Sequence, residues 1–227
     1  MFLNKFAKNT LKKMLARSGF KIVRLTPMEK VFLKLDRKGI KTKELNALEV
    51  FGKIGTYHTQ DYVKQVKTLN VWEINPIFEE SLKINLPTAK VKITDSFEEM
   101  KITDGKYNLI VVDNSILVYG ENQKYCEHFE LFPHIFRIMQ DETILILNVL
   151  PRLEDAYKEE YFYLFNSEHL RRRRIFYLSD HPENLTFDEI INAYLKYTKM
   201  NGFNVEWFFI QKRRPCIYYL ILKLKRN

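Results

Sequence analysis

The decapeptide LEVFGKIGTY, residues 48–57, ends an apolar run of strand length and opens onto a helix start. Glu49 stands at the strand end, and Gly52 and Gly55 give the backbone the freedom a tight turn requires. The helix N-terminus beyond them offers free N–H groups to a carboxylate or phosphate. An acid, two glycines and a helix start, in that order, form a crevice at the carboxyl edge of an open α/β sheet. Twenty-four residues after Glu49, a second apolar run ends in Trp72-Glu73-Ile74-Asn75. A carboxylate placed there can accept hydrogen bonds from both hydroxyls of a ribose.

The same alternation extends outward from this corner. Strands are predicted at Leu45–Phe51, Asn70–Ile74, Val91–Thr94, Tyr107–Asp113 and Thr143–Val149, with helical stretches at about 56–68, 76–84 and 123–139. Strand-length runs alternating with helices specify a mostly parallel sheet between helical layers. Capping boxes at Thr26-Pro27-Met28-Glu29 and Thr186-Phe187-Asp188-Glu189 open two further helices, closed by Gly39 and Gly202. The last two runs, Asn204–Gln211 and Cys216–Lys223, are joined by Lys212-Arg213-Arg214-Pro215. That link is too short for a parallel crossover, so the two strands form an antiparallel hairpin. Five parallel strands and a terminal hairpin make a mostly parallel α/β sheet of seven strands.

Of 227 residues, 46% are hydrophobic, enough to bury a core and to exclude wholesale disorder. Two cysteines, Cys126 and Cys216, exclude a disulfide framework and fit a reducing compartment. No apolar run approaches the roughly 20 residues of a spanning helix. Lysines 5, 8, 12 and 13 interrupt what a signal peptide would keep apolar, so a cytoplasmic location is expected. Residues 1–43 carry +11 and the remaining 184 carry −2, which divides the chain into a basic arm, 1–43, and a body, 44–227. In the arm, Phe2, Leu3, Phe6, Leu11, Met14 and Leu15 recur at helical spacing, with Lys5, Lys8, Lys12 and Arg17 largely opposite. Such a helix can dock on the body or on a second copy of the chain. It can also lie on an anionic inner-membrane surface through residues 1–18, or meet nucleic acid.

G-x-G-x-x-G and the phosphate-loop ending G-K-[ST] are both absent. Glu49 within the turn repels a pyrophosphate and attracts a cation. Charge therefore favours S-adenosylmethionine, with its ammonium and sulfonium, over NAD or ATP. The alternative is a strand-end carboxylate bonded to backbone amides. From Leu45 to Val149 the chain resembles the core of class I SAM-dependent methyltransferases, which implies their α/β, three-layer Rossmann-like fold with a seven-stranded sheet ending in such a hairpin. LEVFGKIGTY resembles the family's first motif. VWEINPIFEESLKINL, residues 71–86, resembles its second strand and helix, above all those of FkbM-type O-methyltransferases, which act on glycans and other natural products. KITDSFE (92–98) and YNLIVVDNS (107–115) match the third-strand region and the fourth motif. The resemblance implies a cofactor site of Glu49, Phe51, Gly52, Gly55, Glu73, Ile74, Asp95 and Ser96, with Asp95 and Ser96 near the adenine and Asp113 at the catalytic edge.

Departures from the family pattern narrow this reading. Phe51 and Lys53 stand where many members have glycine. Asp113-Asn114-Ser115-Ile116 is not the N-P-P-Y type that stacks a nucleobase. Leu147 replaces the acid that, with a following asparagine, completes a magnesium site in catechol-type enzymes, so no catalytic metal is expected.

A hydroxyl acceptor needs a base, and Asp113 is the first candidate, followed by Asn114, His128 and His58, with Tyr119 and Tyr125 nearby for substrate. An insert at about 151–185 carries Tyr157, Tyr161, Phe162, Tyr163 and Phe165, then Arg171 to Arg174. Arg171 and Arg172 can grip an anionic group, the run can neutralise RNA, or it can be a solvated helix face. The expected function is metal-independent O-methylation of a carbohydrate or a phosphate-bearing small molecule. The alternatives are a non-catalytic SAM- or nucleotide-binding assembly or membrane-peripheral module, and an RNA methyltransferase.

Overall fold

The computed structural model describes residues 25–153, 157–161 and 166–227. The amphipathic helix expected within 1–18, with its docking and membrane roles, lies outside them, as do Phe162, Tyr163 and Phe165 of the insert.

The first helix, α1 (Pro27–Arg37), begins where its sequence says it should. Thr26 Oγ1 accepts from the Glu29 amide at 3.1 Å and Glu29 Oε2 from the Thr26 amide at 2.7 Å, a reciprocal cap with Pro27 in the first turn. Met28, Val31, Phe32 and Leu35 recur on one face and are buried. Phe32 stacks on Tyr62, ring centroids 5.1 Å apart. The charge step at residue 43 is therefore not a packing boundary. The buried stripe of α1 belongs to the body's core, while Lys34 and Lys38 lie over the rings of Phe209 and Trp207.

The sheet holds β1 (Asn46–Glu49), β2 (Thr68–Glu73), β3 (Lys90–Ile93), β4 (Tyr107–Val112), β7 (Met139–Val149), β8 (Phe203–Lys212) and β9 (Tyr218–Arg226). A separate two-stranded ribbon pairs β5 (Val118–Tyr119) with β6 (Tyr125–Cys126). The order across the large sheet is β3-β2-β1-β4-β7-β9-β8, parallel except that β9 is antiparallel to both its neighbours. This is the seven-stranded sheet with a terminal hairpin that the sequence predicts. The alternation of side chains along each strand separates two cores. Ala47, Val71, Val111, Ile146 and Ile221 face α1 and α3 (Glu79–Asn85). Leu48, Trp72, Ile110, Leu147 and Leu222 face the other way, onto α4 (Ser96–Ile102), α5 (Phe132–Ile135), α6 (Ser167–Tyr177) and α7 (Phe187–Met200). Between β1 and β4 the connectivity reverses direction, which opens a crevice at the carboxyl ends of those strands.

Two helical expectations are corrected. The stretch 56–68 contracts to one α turn, α2 (Thr59–Tyr62), followed by a 3₁₀ turn at Val63–Gln65. The stretch 123–139 is a ribbon strand and short turns. Gln123 and Glu127 take left-handed φ values (55° and 47°) that end a right-handed helix, and Pro133 restricts the backbone of the next turn. Conversely, α4 is not among the expected helices and α6 is expected only as a helix face for the arginine run, though their caps are ordinary: Asp95 accepts from the Phe97 amide and Asn166 from that of His169. Among the described residues no helix is long and apolar enough to cross a membrane.

If α1 is part of the core, Phe32→Ala should lower the unfolding free energy by about 3 to 5 kcal/mol, read from the midpoint of urea denaturation. A loss below about 1 kcal/mol would return α1 to the status of a detachable arm.

Candidate functional site

The turn after β1 is shaped by its neighbours as much as by its glycines. The Gly52 amide donates to Trp72 O at 2.8 Å, and a Cβ at Gly52 would stand 2.4 Å from Val71 Cγ1, so the turn sits against β2 only with glycine there. Gly55 has φ +78°, and a side chain on it would meet Leu86 at 2.8 Å. Lys53, between them, also sits in the left-handed region, at φ +48°. For a residue with a Cβ this costs roughly 1–2 kcal/mol. A charge-assisted hydrogen bond offsets it: the Lys53 amide donates to Glu73 Oε2 at 2.6 Å, while the Asn75 amide donates to Oε1 at 2.8 Å. Glu73 thus staples the turn to the end of β2.

The turn forms one wall of a cleft of about 550 Å³, within the size range of small-molecule sites. Of the expected residues, Phe51, Gly52, Glu73, Ile74, His58, Asp113, Asn114 and Tyr119 line it. Ile74 is 62% exposed and presents an apolar face beside Glu73.

Beneath the cleft lies a charged network. His58 Nε2 is 2.8 Å from Glu49 Oε2, and His58 Nδ1 is 2.9 Å from Asp113 Oδ2, the second contact being an ion pair out of line for a hydrogen bond. The same Glu49 oxygen accepts from Tyr62 OH at 2.9 Å and Thr59 Oγ1 at 3.3 Å. Asp113 Oδ2 meets Arg213 Nη2 at 2.7 Å and accepts from Tyr219 OH at 2.8 Å, and Asn148 Nδ2 donates to Oδ1 at 3.2 Å. Burial by itself pulls His58 down, but the Glu49 and Asp113 carboxylates outweigh it and hold the imidazole up to about 10. Burial pushes Asp113 up, and His58 and Arg213 outweigh that, holding its carboxyl below the usual range. Two acids and two cations therefore balance within the protein.

The expected residues lie at different depths in this arrangement. Glu49 is fully buried and does not line the cleft: its charge is met by His58 rather than left for a ligand. His58 sits between the Glu49 and Asp113 carboxylates, and Asp113 is engaged by both His58 and Arg213. Gly55 packs behind the turn. Asp95 caps α4, and Ser96 Oγ donates to Val50 O at 2.6 Å; neither lines the cleft. Tyr125 stacks on Phe97 with centroids 3.6 Å apart.

His128 lies in the aromatic core, 2.5 Å from Tyr194 OH, where burial pulls it down to about 4. It is fully buried and does not line the cleft. Arg171 and Arg172 pair with Glu168, and Arg172 also with Glu130, beside a separate depression on the surface. Helical rotation turns the next residue, Arg173, fully inward to Glu127 Oε1 at 2.6 Å. Burial pushes Glu127 up, but Arg173 and His169 outweigh it and bring it down to about 2.

Arg213 and Arg214 line the cleft and were not among the expected site residues. A signal for them existed: the link from a parallel strand into a reversed one falls at the carboxyl edge, where β1 and β4 also end.

No family model matches the chain, and no curated protein is a significant match. Solved structures do match. Trm1 from Pyrococcus horikoshii in complex with S-adenosyl-L-methionine has a TM-score of 0.61 at 12% identity, over 90% of this chain and 57% of that one. The magnesium protoporphyrin IX methyltransferase ChlM from Synechocystis PCC 6803, with bound SAH, has 0.55 at 12%, over 100% and 90%. TYW2 of M. jannaschii, in complex with AdoMet, has 0.52 at 14%, over 91% and 80%. At such identities the likeness establishes the fold, the Rossmann-like fold of class I methyltransferases, and nothing in it selects the FkbM-type branch.

Because the folded state holds His58 above its ordinary 6.5, the stability it contributes is full below about 6.5 and lost as pH rises through about 10. The imidazole nitrogens should keep imidazolium ¹⁵N shifts at pH 8, and unfolding free energy should fall between pH 7 and 10. A neutral ring at pH 8 would refute the bridge.

Proposed function

We propose that this chain is a SAM-dependent methyltransferase that methylates an oxygen of a small acceptor, a carbohydrate or a phosphate-bearing metabolite, without a catalytic metal. One observation carries the reading: in a fold shared with SAM-bound structures, Glu73 stands at the end of β2, on the cleft, beside the turn it staples. Each Glu73 oxygen takes one backbone N–H, and each has a second lone pair for a ribose hydroxyl. Ile74 offers an apolar wall for an adenine.

When bound, S-adenosylmethionine supplies an electrophilic methyl group on a sulfonium. The protein's part is placement, since aligning the acceptor lone pair with that methyl provides much of the rate. Asp113 is an anchor rather than a base, so the proton of an acceptor hydroxyl leaves to water at the mouth of the cleft. It holds His58 and Arg213 at the cleft and keeps the ends of β1, β4 and the β8–β9 link in fixed relation. Phe51 and Tyr119 close the cleft's apolar side and limit water.

RNA as the acceptor is a second reading, favoured by the cationic residues on the cleft and by tRNA-acting enzymes among the structures that match, such as a tRNA m1G37 methyltransferase from M. jannaschii.

Isothermal titration with S-adenosylhomocysteine tests the first reading directly. Binding is expected for the wild type, and Glu73→Ala should weaken it by about tenfold or more, equivalent to losing one charge-assisted contact. Equal affinity in the two proteins, or no heat at millimolar ligand, would remove the cofactor assignment.

A further inference from the structure

The cleft has an unbalanced edge. His58 and Arg213 are matched by Glu49 and Asp113, whereas Lys53 and Arg214 line the same cleft with no carboxylate within ion-pair distance among the described residues. Both are exposed at their tips and held at their bases. The Lys53 backbone is fixed by Glu73, and its ammonium lies 4.8 Å from the centre of the Tyr57 ring. Arg214 follows Arg213, whose guanidinium is tied to Asp113 and, through Nε at 3.0 Å, to Tyr219 OH. The amides of Arg213 and Arg214 both donate to Ile217 O at 3.0 Å, which closes the link tightly over the cleft. Two cations are thus presented from the β1 turn and from the β8–β9 link.

We propose that Lys53 and Arg214 form an anion subsite that takes a phosphate group on the methyl acceptor. An ammonium and a guanidinium fork match the charge and the several acceptor oxygens of a phosphate. Glu73, beside the Lys53 backbone, repels the same group and so directs it to the Arg214 side. Arg213 is a positioning residue whose grip on Asp113 sets where Arg214 stands. Arg171 and Arg172, where the sequence places an anion grip, are paired with Glu168 and Glu130, whereas Lys53 and Arg214 line the cleft without a carboxylate partner among the described residues. This inference rests on the methyltransferase reading for the word acceptor, but the subsite itself can be tested without cofactor.

The test is a titration of the full chain with inorganic phosphate, then with ribose 5-phosphate and with a short single-stranded oligouridylate, at fixed ionic strength. Arg214→Glu and Lys53→Gln should each weaken phosphate binding by about tenfold, while Lys196→Glu, an exposed site on α7 that does not line the cleft, changes it less than twofold. The sugar phosphate binding at this site identifies a monoester acceptor. Binding of the oligonucleotide but not of the sugar phosphate, with inorganic phosphate binding intact and the affinity falling steeply across a salt series, identifies a phosphodiester. Either supports the subsite. Equal losses in all three variants, or no phosphate binding by the wild type, overturn it.

S-adenosylhomocysteine affinity should stay within about threefold in Arg214→Glu. A parallel loss of that affinity would assign the arginine to the cofactor and overturn the proposal. Absence of S-adenosylhomocysteine binding by the wild type, with phosphate binding intact, removes the methyltransferase reading alone.

Discussion

Beneath the cleft an imidazolium is clamped between the carboxylates of Glu49 and Asp113, and this clamp sets most of the chemistry open to the site. Two strand-end acids at a topological switch point repel each other strongly in a low-dielectric interior. His58 and Arg213 resolve the conflict from within the chain. Their presence makes the carboxyl edge electrically neutral at its base and binds β1, β4 and the terminal hairpin into one unit. Glu49 is thereby buried off the cleft wall, and His58 and Arg213 hold the Asp113 carboxyl below its usual range.

With the interior balanced, the cleft's remaining character comes from its rim. Glu73 supplies a negative, hydrogen-bonding corner and Ile74 an apolar face, while Lys53 and Arg214 supply positive charge. The strained backbone at Lys53 belongs to the same design: a residue that costs conformational energy persists because Glu73 fixes its amide and because its side chain reaches the rim.

A second buried network, Glu127 with His169 and Arg173, performs the structural counterpart on the opposite layer. Arg173 also donates to the carbonyls of Leu150 and Pro182, so it fastens α6 to the exit of β7. An arginine run that reads as uniform in sequence is therefore divided by the helix into exposed, paired and fully buried members. Charge counting along the chain has no access to that division.

What the sequence by itself determined is the periodic part. Strand-length apolar runs, the hairpin forced by a four-residue link, the capping boxes at Thr26 and Thr186, and the Gly52–Gly55 turn beside Glu73 are local patterns that survive folding, because local sterics and side-chain alternation cause them. Tertiary structure alone decided who meets whom. Glu49 and Asp113 are far apart in sequence, and only parallel pairing of β1 with β4 brings His58 between them. His128 is a base on paper and a core residue in space, since the chain around it obeys the aromatic packing rather than a helix. Arg213 and Arg214 reach the cleft because β9 runs against β7, so the hairpin turns over at the carboxyl edge. Long-range pairing carries no periodic trace in a single sequence, and it is long-range pairing that sets charge balance, burial and therefore chemistry.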